Sequence, residues 1–320
     1  MIAAVTGGTG FIGKKLVARL VERGDTVRLL TRSPNLPDHS SLLEMHECDL
    51  LTAEVSELST MLDGVGVLYH CAGQLKEPLA MRALHVDATR KLAEAASRRI
   101  GRWVQLSSVG VYGSVPEGAI TEDSALNPFG EYEITKTESD KIVVDAASKG
   151  GFSYSILRPS NVFGAEMANQ SLFGMIAMID RGLFLYIGKP GASANYIHVD
   201  NVIEGLVSCG TMQQAECRIY NLSDHCTLEH FVGTIATRLG RPAPRLRIPA
   251  PLAYLAGEVL GGIPGFPLTR SRVEAMVNRS VYPISRIQQE LGYHHVTSME
   301  DGLLELVEAY KQRAEHRGAE

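Results

Sequence analysis

Tyr132 and Lys136 stand four residues apart in the segment EYEITKTESD, the only Tyr-x-x-x-Lys spacing in the chain. The stretch follows Pro128 and reads as a helix, on which side chains at i and i+4 share a face. A phenol with a pKa of about 10 is a poor proton carrier at neutral pH. An ammonium beside it favours the phenolate and lowers that pKa. The pair is therefore suited to moving a proton. The segment VQLSSVGVYG reads as a strand running into a loop at Ser107 and Ser108. A hydroxyl there, at the carboxyl edge of an open α/β sheet, can hydrogen-bond a substrate carbonyl or alcohol. Taken singly, a tyrosine beside a solvated lysine and a loop serine are ordinary surface features, and only their combination points to chemistry.

Such groups need a scaffold, and the first half of the chain supplies its pattern. IAAV, TVRLL, GVGVLYHCAG, RWVQLSSV and FSYSILRPS are strand-like, with helix-like stretches between them. Phe11, Ile12, Leu16, Val17, Leu20 and Val21 recur at helical spacing. The fold class expected is α/β, a Rossmann-type doubly wound parallel sheet with helices on both faces. Residues 1–165 are expected to form the dinucleotide-binding domain and residues 166–320 a smaller, less regular substrate region. The segment IYNLSD is a candidate to return to the main sheet.

Gly7, Gly10 and Gly13 lie between the first strand and the first helix. Glycines let a backbone approach a phosphate, and a helix N-terminus offers free N–H groups and partial positive charge. The strand–turn–helix context makes a pyrophosphate site credible. At the end of the second strand, enzymes that use NAD carry an acidic residue for the ribose hydroxyls. Thr31 and Arg32 occupy that place instead. A guanidinium suits a 2′-phosphate, so NADP is the expected cofactor, with NAD as the alternative.

Composition narrows the classes. The formal net charge is −5, with 45% apolar and 21% charged residues, which argues against nucleic acid as a partner. Five cysteines, an odd number without CxxC spacing, argue against a disulfide framework or a metal site and for a cytoplasmic setting. No secretory leader is expected. No apolar run reaches the about 18 residues of a membrane span. The run IPAPLAYLAGEVLGGIPGFPL, broken by Glu258, glycines and prolines, is expected to line a pocket or pack in the second region, with a membrane-surface role as the alternative.

Together these segments resemble the extended short-chain dehydrogenase/reductases, also called the NAD-dependent epimerase/dehydratase family, over almost the whole chain. TGGTGFIG resembles that family's TGxxGxxG turn, and SSVGVYG its SSxxVYG segment, which puts the catalytic serine at Ser108. Tyr132 and Lys136 match its YxxxK pair. The resemblance implies cofactor contacts from Gly7, Thr9, Gly10, Phe11, Ile12 and Gly13, from Thr31 and Arg32, and from Asp49 and Leu50 near the adenine. It also implies contacts from Cys71, Ala72 and Gly73 after the fourth strand, from Lys136, and from Pro159, Asn161 and Val162 near the nicotinamide. The implied reaction is hydride transfer between a nicotinamide and an alcohol or ketone carbon, with Tyr132 as general acid or base, Ser108 polarising the oxygen and Lys136 tuning Tyr132 and holding the ribose. A homodimer through the helix carrying Tyr132 and residues 85–98 is the family expectation.

Two departures matter. His85 and Ala88 stand in HVDAT where the family reads NVxGT; His85 is expected to pack between helices, with a proton relay as the alternative. Ala194 and Asn195 stand where nucleotide-sugar members carry an arginine for the diphosphate. An unpaired diphosphate costs about 2–5 kcal/mol, and Arg270, Arg272 and Arg279 are candidates to compensate. The LTRSRV segment and the apolar run instead resemble the hydroxysteroid-dehydrogenase-like and dihydroflavonol-reductase-like branches. The leading expectation is an oxidoreductase for a fairly apolar small molecule, with residues 165–195 and 245–275 as the substrate wall. The alternatives are a nucleotide-sugar epimerase, dehydratase or 4-keto-sugar reductase, and a non-catalytic NADP-binding regulator.

Overall fold

The computed structural model describes residues 1–33, 40–167, 171–260 and 269–318. Residues 168–170 and 261–268, part of the expected substrate wall, lie outside the described residues. Seven strands form one sheet: β1 (Ile2–Thr6), β2 (Thr26–Thr31), β3 (Leu43–Glu47), β4 (Val67–His70), β5 (Arg102–Leu106), β6 (Ser153–Pro159) and β7 (Arg218–Leu222). Their order is β7-β6-β5-β4-β1-β2-β3 and every pairing is parallel. The order reverses between β1 and β4, so their carboxyl ends open the crevice in which ligands bind to such sheets.

The central strands are buried throughout: β4 and β5 expose no residue and β1 only half-exposes Ile2. Strands covered on both faces need continuous apolar runs rather than alternation. α1 (Phe11–Glu22) and α7 (Val199–Thr211) cover one face, where Leu16, Leu20, Val202 and Leu206 pack on Val5, Val104 and Leu157. α2 (Val55–Leu62), α4 (Thr89–Ala96) and α5 (Glu131–Ser148) cover the other, around Trp103, Leu58, Leu92 and Val143. The short α3 (Pro78–Arg82) runs into α4 through a π-helical turn, Ala83–Ala88.

The second region has its own core, built from α6 (Ser171–Asp180), α8 (Leu228–Leu239) and the helix Met299–Gly318 around Phe163, Phe231 and Leu303. α9 (Ala250–Leu260) and the helix Arg270–Val277 pack against the paired strands Tyr186–Ile187 and Arg247–Ile248. IYNLSD does return to the main sheet, as its edge strand β7. β3 carries no apolar strand signature in the sequence. Its residues alternate only half-buried and exposed positions, because it pairs with β2 alone at the sheet's edge. Among the described residues no helix is long and apolar enough to cross a membrane.

Candidate active site at the carboxyl edge of the sheet

The glycine turn leaves β1 with Gly7 at φ +71°, a conformation that costs other residues strain. A Cβ on Gly7 would also lie 2.6 Å from the backbone nitrogen of Ala72. Gly13 is equally constrained, since its Cβ would lie 2.1 Å from the carbonyl oxygen of Gly7. Gly8, which the spacing argument passed over, packs so closely that a Cβ would meet Leu29 at 2.3 Å. Gly10 differs: only the Gly7 oxygen, at 3.3 Å, would come near its Cβ. It caps α1 with no side chain, and the first turn of α1 holds no carboxylate. The turn therefore presents free N–H groups beside open space, which is what a pyrophosphate requires. Gly13→Ala forces backbone against backbone. It should cost about 1–3 kcal/mol of stability and weaken dinucleotide binding at least about tenfold, read by urea unfolding and fluorescence titration.

The other expected cofactor contacts lie mostly at the carboxyl ends of the strands or just after them. The Cys71 N–H donates to the Thr6 carbonyl at 3.1 Å, which holds the Cys71–Ala72–Gly73 loop against the glycine turn. Phe11 reaches toward Gly164 and so links the turn to the second region. Ile12 and Val162 pack at the margin of the core under the turn. Thr31 is buried and accepts a hydrogen bond from the Ser33 N–H at 3.2 Å. Arg32 is exposed, with no carboxylate partner among the described residues. Asp49 accepts from the Leu51 N–H at 3.0 Å beside buried Leu50. Pro159 is buried at the end of β6, and exposed Asn161 donates to the Asn195 carbonyl at 3.3 Å. Thr9 is exposed at the mouth of the turn.

Ser108, Tyr132 and Lys136 meet beyond β5. Ser108 caps the short helix Val109–Tyr112, accepting from the Gly110 N–H at 3.1 Å. The start of α5 is set by Glu133, whose carboxylate accepts the N–H groups of Phe129 and Gly130. Tyr132 then falls in the first turn of α5 and hydrogen-bonds Ser108. Lys136, buried one turn on, donates to the Leu106 carbonyl at the end of β5. The electrostatics differ from the expectation that Lys136 lowers the Tyr132 pKa. Burial pushes the phenol up to about 12, and only its bond to Ser108 pulls it back. The ammonium is turned to the Leu106 carbonyl and is itself lowered by burial, against the nearby charge of Asp140. Tyr132 thus keeps its proton at neutral pH.

His85 acts as a brace. The Gln74 N–H donates to its Nε2 at 2.9 Å, so the proton lies on Nδ1 and is donated to Thr135 Oγ1, also at 2.9 Å. The imidazole meets the Tyr132 ring edge-on, 5.7 Å between centroids. It ties the loop after β4 to α5 as a neutral group, in line with packing rather than relay. His70, buried at the end of β4, likewise joins Thr6 Oγ1 at 2.7 Å to Thr89 Oγ1 at 3.1 Å. Burial, with Lys136 nearby, lowers both histidines from 6.5 to about 3. An unfolded chain takes up protons at these two rings below about pH 6.5 while the native one does not, so stability should fall as pH falls from there. The slope is about 1.4 kcal/mol per pH unit for each ring. Urea midpoints measured from pH 7 to 5.5 check this, and His85→Asn should flatten the dependence.

Asp140 and Arg158 were not singled out from sequence. Both are buried, and Arg158 donates to Asp140 Oδ2 from Nε at 3.3 Å and from Nη2 at 3.1 Å. Ser107 donates to the same oxygen at 2.8 Å. Arg158 also reaches the Tyr112 hydroxyl at 3.0 Å, which donates to Asn221 on β7 at 2.8 Å. The signal was present: an arginine inside the buried strand FSYSILRPS demands a partner, and Asp140 lies one turn beyond Lys136.

Two of the three arginines offered as replacements for a diphosphate partner, Arg270 and Arg279, are engaged elsewhere. Arg270 is exposed and paired with Glu274 at 3.1 Å, and Arg279 donates to the carbonyls of Lys189 and Pro190. Ala194 is buried, and the Asn195 amide donates to the Ser280 carbonyl at 2.8 Å.

Residues 3–223 match the family described as NAD dependent epimerase/dehydratase. The chain is 24% identical to the UDP-glucose 4-epimerase of Vibrio cholerae, covering 96% of this chain and 95% of that protein. It is 24% identical to a 3 beta-hydroxysteroid dehydrogenase/Delta 5-->4-isomerase of Mycobacterium tuberculosis, covering 96% of this chain and 89% of that one. It is 30% identical to sterol demethylase protein B of Methylococcus capsulatus over 78% of each.

Proposed function

Because the chain belongs to the NAD-dependent epimerase/dehydratase family of extended short-chain dehydrogenase/reductases, and is an enzyme of it, we propose that it interconverts an alcohol and a ketone on a fairly apolar small molecule. The observation that carries this reading is the position at which the nucleotide-sugar members are expected to carry an arginine for the diphosphate. Buried Ala194 and the amide of Asn195 fill it, while Arg270 and Arg279 are committed to other partners. The hydroxysteroid dehydrogenase and the sterol demethylase component among its relatives are named for apolar substrates, which supports the same choice.

The glycine cradle and the free end of α1 fit a dinucleotide. When bound, that group accepts or supplies the hydride. Gly7, Gly10 and Gly13 would hold its pyrophosphate, and Lys136 its nicotinamide ribose. Ser108 orients the substrate oxygen, and Tyr132 moves the proton to or from that oxygen. At the adenosine end β2 finishes in Thr31 and Arg32 rather than a carboxylate, so the reading favours NADP. NADPH should raise the melting temperature more than NADH at equal concentration. Arg32→Ala should weaken NADPH about tenfold or more, equivalent to about 1.4 kcal/mol, and leave NADH nearly unchanged.

The decisive experiment is a heat-shift screen of the NADP-loaded protein against UDP, dTDP and steroid-like alcohols, followed by turnover read as nicotinamide absorbance. Stabilisation by the apolar alcohols is expected. Stabilisation by a nucleoside diphosphate alone would replace this reading with a nucleotide-sugar epimerase, dehydratase or reductase.

A further inference from the structure

The second region carries an exposed arrangement of leucines and cations that the Ser108, Tyr132 and Lys136 chemistry does not use. Leu183, Leu246, Leu252 and Leu255 are 57%, 72%, 59% and 57% exposed. Single exposed leucines are ordinary, but four in one folded unit are a patch. They share a unit because Tyr186 lies opposite Arg247 in a parallel pair and its N–H donates to the Leu246 carbonyl. The segment bearing Leu183 therefore runs beside the segment bearing Leu246. α9 begins two residues after that strand pair. Leu252 and Leu255 are neighbours on its surface, while Ala253 between them turns inward toward Ile187 and Val273.

Cations outnumber carboxylates in this unit. Asp180 is paired with Arg241 at 2.9 Å, Glu229 with Arg247 at 2.7 Å and Glu274 with Arg270 at 3.1 Å, and exposed Glu258 on α9 shares that Arg270 at 3.9 Å. Arg181, Lys189 and Arg245 are exposed beside the leucines and have no carboxylate partner among the described residues. We propose that this face docks the protein on an anionic lipid bilayer, with the leucines in the boundary between headgroups and acyl chains and the three cations on lipid phosphates. The chain as a whole is anionic, at −5. The rest of its surface is therefore repelled by such a bilayer, and the attraction orients the molecule with this face down.

The test is flotation of the full-length protein with vesicles of phosphatidylcholine alone and of phosphatidylcholine mixed with phosphatidylglycerol. Binding is expected to the mixed vesicles at low salt. It should be released as salt shortens the screening length from about 10 Å at 0.1 M to about 3 Å at 1 M. Arg245→Glu should lower the vesicle-bound fraction by at least about fivefold. Leu252→Asp combined with Leu255→Asp should abolish it, with unchanged melting temperature in both variants. Absence of binding at low salt overturns the proposal, as does binding that survives both sets of substitutions. So does a dimer in solution that the leucine substitutions dissolve, since a second copy would then be what covers the patch. The readout involves neither cofactor nor substrate, so its failure leaves the proposed reaction standing.

Discussion

Tyr132→Phe is expected to lower kcat by roughly 10²–10⁴-fold, the usual contribution of a positioned proton donor or acceptor, while cofactor affinity and melting temperature stay close to those of the parent. The substitution removes one hydroxyl. The ring stays edge-on to His85, and α5 keeps its Glu133 cap. What disappears is the group bonded to Ser108. Because burial holds that phenol up to about 12, it is protonated across the physiological range. Substrate reduction should therefore vary little with pH near neutrality, and substrate oxidation should improve as pH rises. Initial rates in both directions for the parent and Tyr132→Phe check the assignment. A variant retaining full turnover would remove Tyr132 from the chemistry and revive a non-catalytic, nucleotide-sensing role for the fold.

Asp140→Ala should destabilise the protein by about 3–5 kcal/mol, the cost of stranding one charge of a buried pair. Arg158 is only 3% exposed. Without Asp140 it would keep the Tyr112 hydroxyl at 3.0 Å and the Tyr112 ring, 5.2 Å away, neither of which carries an opposing charge. Desolvation raises the Asp140 pKa, and Arg158, Ser107 and Lys136 all work against it. The pair is thus held together by mutual compensation. Asp140→Leu combined with Arg158→Met should recover most of the loss, because an apolar replacement of both partners removes the stranded charge. Urea unfolding of the single and double variants gives the coupling energy. A loss below about 1 kcal/mol for Asp140→Ala, which is the range of exposed pairs, would contradict this account. Lys136 would also lose the opposing charge of Asp140, so activity should fall more than the remaining folded fraction accounts for.

How much of this was legible without coordinates follows from where the determinants lie. β1, β2, β4, β5 and β6 could be read because central parallel strands must be apolar on both faces, and glycine marks the turn after β1. β3 could not, because an edge strand half in water has no such signature. Tyr132 and Lys136 declared themselves by helical spacing, a local property. The partners that fix them did not: Ser107 lies 33 residues from Asp140, and Asn221 lies 109 from Tyr112. Such contacts are created by the strand order of the sheet, which spacing along the chain does not encode. The departure at His85 was visible. Its role as a brace needed Gln74 and Thr135, brought to its two nitrogens only when α3 and α4 dock on α5. The raised pKa of Tyr132 is beyond spacing for a related reason, since desolvation is a property of the folded environment.

The seventh strand has a bearing on how the molecule is made. β7 is drawn from residues 218–222, well beyond the point where the nucleotide-binding pattern ends, yet it pairs along β6. A nascent chain that has emerged only as far as residue 165 holds every expected cofactor contact and still displays the whole outer rim of β6 as a row of unpaired amides and carbonyls. Open rims of that kind recruit other strands and seed aggregation. The ribosome must deliver Leu222 before that rim is sealed, so a gene fragment cut at the apparent domain boundary should yield inclusion bodies rather than a dinucleotide-binding module.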